Sequence, residues 1–281
     1  MKIFLAGSTG VIGRSLIPML VQQGHEVFGM IRSESDAEIL QKLGAKSVVA
    51  DAFDRDSVYD ALNETKPDVV IHQLTSLNSG DSNANARIRK EGTRNLVDAA
   101  IRVGVKKMIA QSISWAYEPG HTFATEETPL DFNAPLPRKT TIDGILALED
   151  KVSQMPEFVI LRYGTLYGPG TWYSKDGKIA EQLHKQELFA TNGITSFLHV
   201  EDAARAAVLA LDWSSGAVNI VDDEPVKGTV WLPYFAEVVG VPHPKAQDSH
   251  NLWERGVSNC KAKNECGWTP IHSSWREGFK H

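Results

Sequence analysis

The run Lys2–Gly13, KIFLAGSTGVIG, constrains this chain more than any other stretch. It reads as a short buried strand, a glycine-rich turn and the first turn of a helix. Gly7, Gly10 and Gly13 follow the spacing G-x-x-G-x-x-G. In that setting the first glycine permits a tight turn off the strand. The second lets a pyrophosphate approach the backbone, and the third lets helix and strand pack closely. Unpaired amides and the helix dipole then favour an anion at the turn. The implied ligand is a dinucleotide, held by Gly7, Ser8, Thr9, Gly10, Val11, Ile12 and Gly13.

Apolar runs alternate with helical periods over the first 165 residues, which is the pattern of βαβ units and a parallel sheet. Strands are expected at Ile3–Ala6, Glu26–Ile31, Ser47–Ala50, Val69–Gln73, Lys107–Gln111 and Phe158–Tyr163. Between them fall helices at Val11–Gln23, Ala37–Leu43, Asp56–Thr65, Asn83–Val103 and Thr140–Gln154. Pro18 removes a hydrogen bond from the first of these and predicts a kink. The texture changes after Gly168: GPGTWYSKDG is turn-rich, and all seven tryptophans lie from Trp115 onward. Most of them read as packing for a smaller lobe. Trp172, in a glycine-rich loop after a strand, stands apart. The expected division is a dinucleotide-binding core over 1–165 and a C-terminal lobe over 166–281, with a return to the core near 194–221.

A net charge of −6 without a basic tract argues against a nucleic-acid partner. No apolar run approaches the roughly 18 to 20 residues needed to span a bilayer. The first residues already read as a core strand, so a cytoplasmic protein without a signal peptide is expected. Cys260 and Cys266 have no companion Cys/His set with metal-ligand spacing, and no metal is expected.

The end of the second strand normally decides how the adenosine ribose is held. An acid there suits NAD, whereas arginine with a small hydroxyl residue suits a 2′-phosphate. Here EVFGMI runs into Arg32 and Ser33, so the expectation is NADP, with NAD the alternative. Asp51 and Ala52 follow the third strand and are placed at the adenine. Leu74 and Thr75 follow the fourth and line the adenosine–ribose wall.

The chain resembles the extended short-chain dehydrogenases/reductases, in the NAD-dependent epimerase/dehydratase branch. The matching segments are LAGSTGVIG at 5–13, DVVIHQLTS at 68–76, EGTRNLVDAA at 91–100, GVKKMIAQSISWAY at 104–117, LRYGTLYGPG at 161–170, SFLHVEDAARAA at 196–207, GAVNIVDDEPV at 216–226 and NCKAKNECGWTP at 259–270. The resemblance implies an α/β fold: a Rossmann doubly wound parallel sheet with a small C-terminal substrate lobe. It further implies a small-molecule substrate, with Ser112 and Tyr163 near the ribose and nicotinamide. The substrate is expected among Ser114–Thr125, Tyr167–Lys178 and Ile194–His199. A homodimer through Asn83–Val103 and Thr140–Gln154 also follows from it.

Family chemistry rests on a Tyr-x-x-x-Lys pair with a Ser or Thr, in which the lysine lowers the tyrosine pKa. None of Tyr59, Tyr117, Tyr163, Tyr167, Tyr173 and Tyr234 has a lysine four residues later. Aligning on Glu149 and Ile160 puts Thr141 at the tyrosine position and Ile145 at the lysine position. Ile113 then takes the hydroxyl position, flanked by Ser112 and Ser114. Candidate catalytic groups are therefore Ser112, Ser114, Tyr117, Tyr163 and Tyr167. Three readings stand: an atypical oxidoreductase for a small carbonyl, alcohol or sugar-related substrate; a non-catalytic NADP(H) sensor or partner-binding protein; and an epimerase or dehydratase using transient hydride transfer.

Overall fold

Ile3, Phe4, Leu5 and Ala6 expose no surface, because the strand they form has a hydrogen-bonded neighbour on each side and cover on both faces. In the computed structural model, which describes residues 1–77 and 80–280, this strand is β1 (Lys2–Ala6). It is followed by α1 (Val11–Gln22), β2 (Glu26–Ile31), α2 (Ala37–Lys42), β3 (Lys46–Val49), α3 (Arg55–Thr65) and β4 (Val69–His72). Next come α4 (Ser82–Arg87), a π-turn at Ile88–Gly92, α5 (Thr93–Val103), β5 (Lys107–Ile113), α6 (Arg138–Val152) and β6 (Glu157–Tyr163). The remainder is β7 (Thr165–Tyr167), α7 (Lys178–His184), β8 (Ile194–Thr195), β9 (Phe197–His199), α8 (Val200–Leu209), β10 (Gly216–Ile220), β11 (Val226–Lys227), α9 (Gly228–Val239), α10 (Cys260–Asn264) and α11 (Trp275–Gly278).

Seven strands form one sheet in the order β10-β6-β5-β4-β1-β2-β3. The pairs from β5 to β3 are parallel, with Ile3 opposite Val27 on one side and Val69 on the other. The order reverses between β1 and β4, and ligands of doubly wound sheets bind outside the carboxyl ends of the strands at such a reversal. The loop Gly7–Gly10 lies there.

Two expectations about helices meet the structure differently. Pro18 faces solvent, and α1 runs through it to Gln22, because the carbonyl it leaves unbonded lies on a wet face. Gly24, at φ +79°, then turns the chain toward β2, its amide on the Val21 carbonyl. The single helix expected over Asn83–Val103 is interrupted by the π-turn. Such a turn keeps helical composition while rotating everything after it, so the sequence carries no warning.

The chain forms two compact units, each from three segments. The first comprises Met1–Ser112, Phe132–Leu161 and Ala204–Ala217; the second comprises Ile113–Asp131, Arg162–Ala203 and Val218–His281. The sequence placed the division near 165 and did not expect 113–131 to leave the first segment. Phe4, Met30, Val58, Leu62, Val70, Leu96, Met108 and Leu148 build the first core. Each fully buried aliphatic contributes about 1.5–3 kcal/mol. Lys107 anchors the returning segment: its buried ammonium donates to the carbonyls of Leu211 and Trp213, both at 2.7 Å. The second core centres on Phe197, whose ring meets Tyr167, Trp231 and Phe279 edge-on at 5.3–6.1 Å.

His72 ends β4 with no exposed surface. Its Nδ1 accepts from the Leu74 amide, so Nε2 carries the proton and donates to Thr93 Oγ1 at 2.8 Å. Burial, helped by the charge of Arg89, pulls its pKa down to about 4. The unfolded chain binds this proton near pH 6.5, so the group's stabilisation is complete above that pH and is lost as pH falls toward 4. Between about pH 7.5 and about pH 5, urea titration should show the parent losing about 2 kcal/mol more stability than His72→Gln. Parallel losses in the two proteins would show that His72 does not carry this dependence.

Candidate functional site

In the first unit the glycine loop is fixed by contacts that admit no side chain. Gly7 has φ +91°, and a Cβ there would come within 2.6 Å of the Gln73 backbone. At Gly13 a Cβ would run into the carbonyl oxygens of Gly7 and Ser8. Gly10 starts α1 with no side-chain cap, and the first turn of the helix has no acid. The turn therefore keeps its positive end and its donors for a ligand.

Ser8 is buried, its Oγ on the Met30 carbonyl at 2.7 Å, so it presents only main chain outward. Thr9 uses its carbonyl to hold Arg14 Nε at 2.8 Å, a strut the sequence reading missed. Val11 is half-buried, and Ile12 is in the core. Arg32 is exposed, with no ion pair among the described residues. Ser33 next to it accepts from the Ser35 amide and hydroxyl. Asp51 is exposed and turns its Oδ1 onto the Phe53 amide, while the Ala52 carbonyl takes Asn95 Nδ2. Leu74 is half-buried, its carbonyl on Gln111 Nε2, and Thr75 is exposed. The loop, together with the residues that follow β2, β3 and β4, has the layout of a dinucleotide cradle.

The second unit holds a cavity of about 330 Å³. Its walls draw on all three stretches the sequence singled out, and they are unusually aromatic. Trp115, Tyr117, Trp172, Tyr173 and Trp253 line it, with Ser114 and Arg255. Trp115 and Trp253 lie 6.3 Å apart at 43°, and the Lys178 ammonium sits 4.5 Å over the Trp172 ring. Trp172 was legible from its loop, whereas Trp115 and Trp253 were not, since 138 positions separate them in the chain. Arg255 braces the wall by donating to the carbonyls of Thr122 and Glu118 and to Thr122 Oγ1. A second cavity of about 480 Å³ shares Ile194, Glu254 and Arg255 with it.

The NAD dependent epimerase/dehydratase family model matches residues 3–221. The chain belongs to that family. It is 38% identical over 305 aligned positions to a 3-diazoavenalumate denitrifying reductase of a Streptomyces species, covering 99% of each protein. Among solved structures, the UDP-glucose 4-epimerase of Thermus thermophilus in complex with NAD superposes with a TM-score of 0.77 at 24% identity, covering 100% of this chain and 97% of that one. The UDP-glucose 4-epimerase of Thermotoga maritima with UDP-glucose gives 0.79 at 22% identity, covering 100% and 96%. These establish the fold.

Thr141 is half-buried on α6, and Ile145 is in the core. Ser112 donates to Glu149 Oε1 at 2.6 Å inside the first unit. Tyr163 donates to the Ala203 carbonyl at 3.1 Å. Tyr167 is enclosed by Phe197, Phe279 and His199, and burial pushes its hydroxyl pKa up. Tyr117 donates to Asn219 Oδ1 at 2.6 Å and accepts from Arg162 at 2.9 Å. The arginine favours the phenolate, but burial outweighs it and the pKa rises to about 12. Of the five candidates, Ser114 and Tyr117 line the aromatic cavity. His199, Glu201 and His272 also converge, each offering a ligand atom within 4.8 Å of the others. Glu201 already pairs with His272 at 3.0 Å, and the two imidazole centroids lie 3.7 Å apart with the rings tilted by 37°.

Replacing Gly7 by alanine adds a left-handed backbone penalty and a clash with main chain. Gly7→Ala should cost about 2–4 kcal/mol in denaturant unfolding and abolish dinucleotide binding by calorimetry. Parent-like binding would show that the loop is not the anchor.

Proposed function

We propose that this chain is an NADP(H)-dependent reductase that adds hydride to an electrophilic carbon of a compact aromatic substrate. The observation that carries this reading is the cavity walled by Trp115, Trp172, Tyr173 and Trp253. Rings of that kind grip a planar π-system over its faces and edges. Arg32 beside Ser33, without an ion pair among the described residues, suits the 2′-phosphate that distinguishes NADP from NAD. Bound at the glycine loop, the reduced nicotinamide would supply the hydride.

Carbonyl reduction leaves an alkoxide that must be protonated, which is why the family pairs tyrosine with lysine. Here the hydroxyls of Tyr117 and Tyr163 are committed to protein acceptors, and Ile145 brings no charge. A substrate whose carbon expels a neutral leaving group needs no such donor. An aryl diazonium is one: hydride forms the C–H bond, the C–N bond breaks, and dinitrogen leaves with that bonding pair. The relative named as a denitrifying reductase of a diazo compound supports this substrate class. In this mechanism the aromatic walls orient the ring and exclude water, and Arg255 keeps the loop around Glu118–Thr122 in place.

The test is cofactor oxidation with a hydroxyl-substituted benzenediazonium, an aryl aldehyde and a UDP-sugar, using NADPH deuterated at the transferred position. Deuterium in the arene and release of dinitrogen are expected only with the diazonium. Tyr117→Phe should keep that turnover within about threefold, since no proton is asked of it. Deuterium delivered to the aldehyde carbon alone, or turnover lost in Tyr117→Phe, would overturn the reading. Arg32→Ala should weaken NADPH by roughly 10- to 100-fold and leave NADH within about twofold by calorimetry. An unchanged ratio of the two affinities would refute the NADP assignment.

A further inference from the structure

Arg89 sits on the π-turn Ile88–Gly92 and is only 6% exposed. Among the described residues its guanidinium has no hydrogen-bond or ion-pair partner. The contrast with other buried cations is sharp. Lys107 and Arg162, each 7% exposed, both have oxygen partners. The acid two positions on, Glu91, is taken by Arg87 at 3.0 Å.

A cation left with only the little water that reaches it is costly, and a protein normally pairs it or lets it lose its proton. Arginine cannot take the second route at neutral pH: burial lowers its pKa only to about 10. The charge of Arg89 is near enough to act on His72, at the carboxyl end of β4, and β4 pairs directly with β1, whose end carries the glycine loop. The π-turn itself, whose extra residue re-aims a side chain, is a device found often at functional sites.

We propose that Arg89 is a ligand-binding residue whose counter-charge is an oxyanion of a bound ligand, an inference that rests on the first unit being the dinucleotide site. The oxyanion comes either from a phosphate of the cofactor or from an acidic oxygen of the substrate. A residue retained for an absent ligand destabilises the ligand-free protein, whereas a residue retained for structure stabilises it. The two roles therefore give opposite signs.

The experiment uses the full chain as parent, Arg89→Met and Arg89→Lys. Thermal unfolding without ligand should place Arg89→Met at or above the parent melting temperature. Calorimetry with NADPH, and with phenylpropanoate in the presence of NADPH, should then show Arg89→Met weakened at least about tenfold toward one of them, with Arg89→Lys recovering part of the loss. Loss toward NADPH identifies a cofactor phosphate; loss confined to phenylpropanoate identifies a substrate oxyanion. A lower melting temperature for ligand-free Arg89→Met overturns the proposal whatever binding does. So does undiminished binding of both ligands, which leaves the dinucleotide reading intact. A parent that binds no NADPH removes that reading and this inference together.

Discussion

Backbone against backbone at the end of β1 is the contact on which the first unit depends. Gly7 packs on the Gln73 main chain, and Gly13 packs on the carbonyls of Gly7 and Ser8, with no room for a methyl group at either. That closeness presses the start of α1 onto the sheet where β1 and β4 part. It also leaves the helix uncapped and free of acids, so the same packing that closes the core sets up the helix end that the proposed anion site requires. Structure and ligand chemistry share one cause here, and neither can be altered alone.

The two units are built on different physics. The first is aliphatic and layered, with strands covered on both faces and the buried His72 bonded at both ring nitrogens. The second is held by rings: Phe197 meets its aromatic neighbours edge-on, and further rings are left to line a cavity. Aliphatic layers specify a backbone with little dependence on side-chain orientation. Ring clusters specify orientation, which suits a wall that must present flat faces to a planar guest.

What could be read in the chain follows from the range of the signal. β1, β2 and β6 were legible because continuous apolar runs between turn residues admit few other outcomes, and the glycine spacing fixed the loop. The π-turn at Ile88–Gly92 was invisible, since an extra residue in a helix leaves composition untouched. Ser112 and Tyr163 were placed by family position, but hydrogen bonds to Glu149 and Ala203 decide where their protons go, and both partners lie about 40 residues away. Trp115 and Trp253 became a pair only through the tertiary fold. Local pattern thus carried the strand and glycine loop, while the aromatic cavity needed the structure.

Trp275 and Phe279 complete the ring cluster around Phe197, and Asp202 accepts from the amides of Ile271 and His272. During synthesis, the first unit has all its segments once Ala217 has left the ribosome. The second must wait another sixty or so residues with Phe197 and Tyr167 uncovered. Exposed rings held that long are where a chaperone would bind. The vulnerable interval in this protein's life is therefore set by the order of its segments, before any ligand is met.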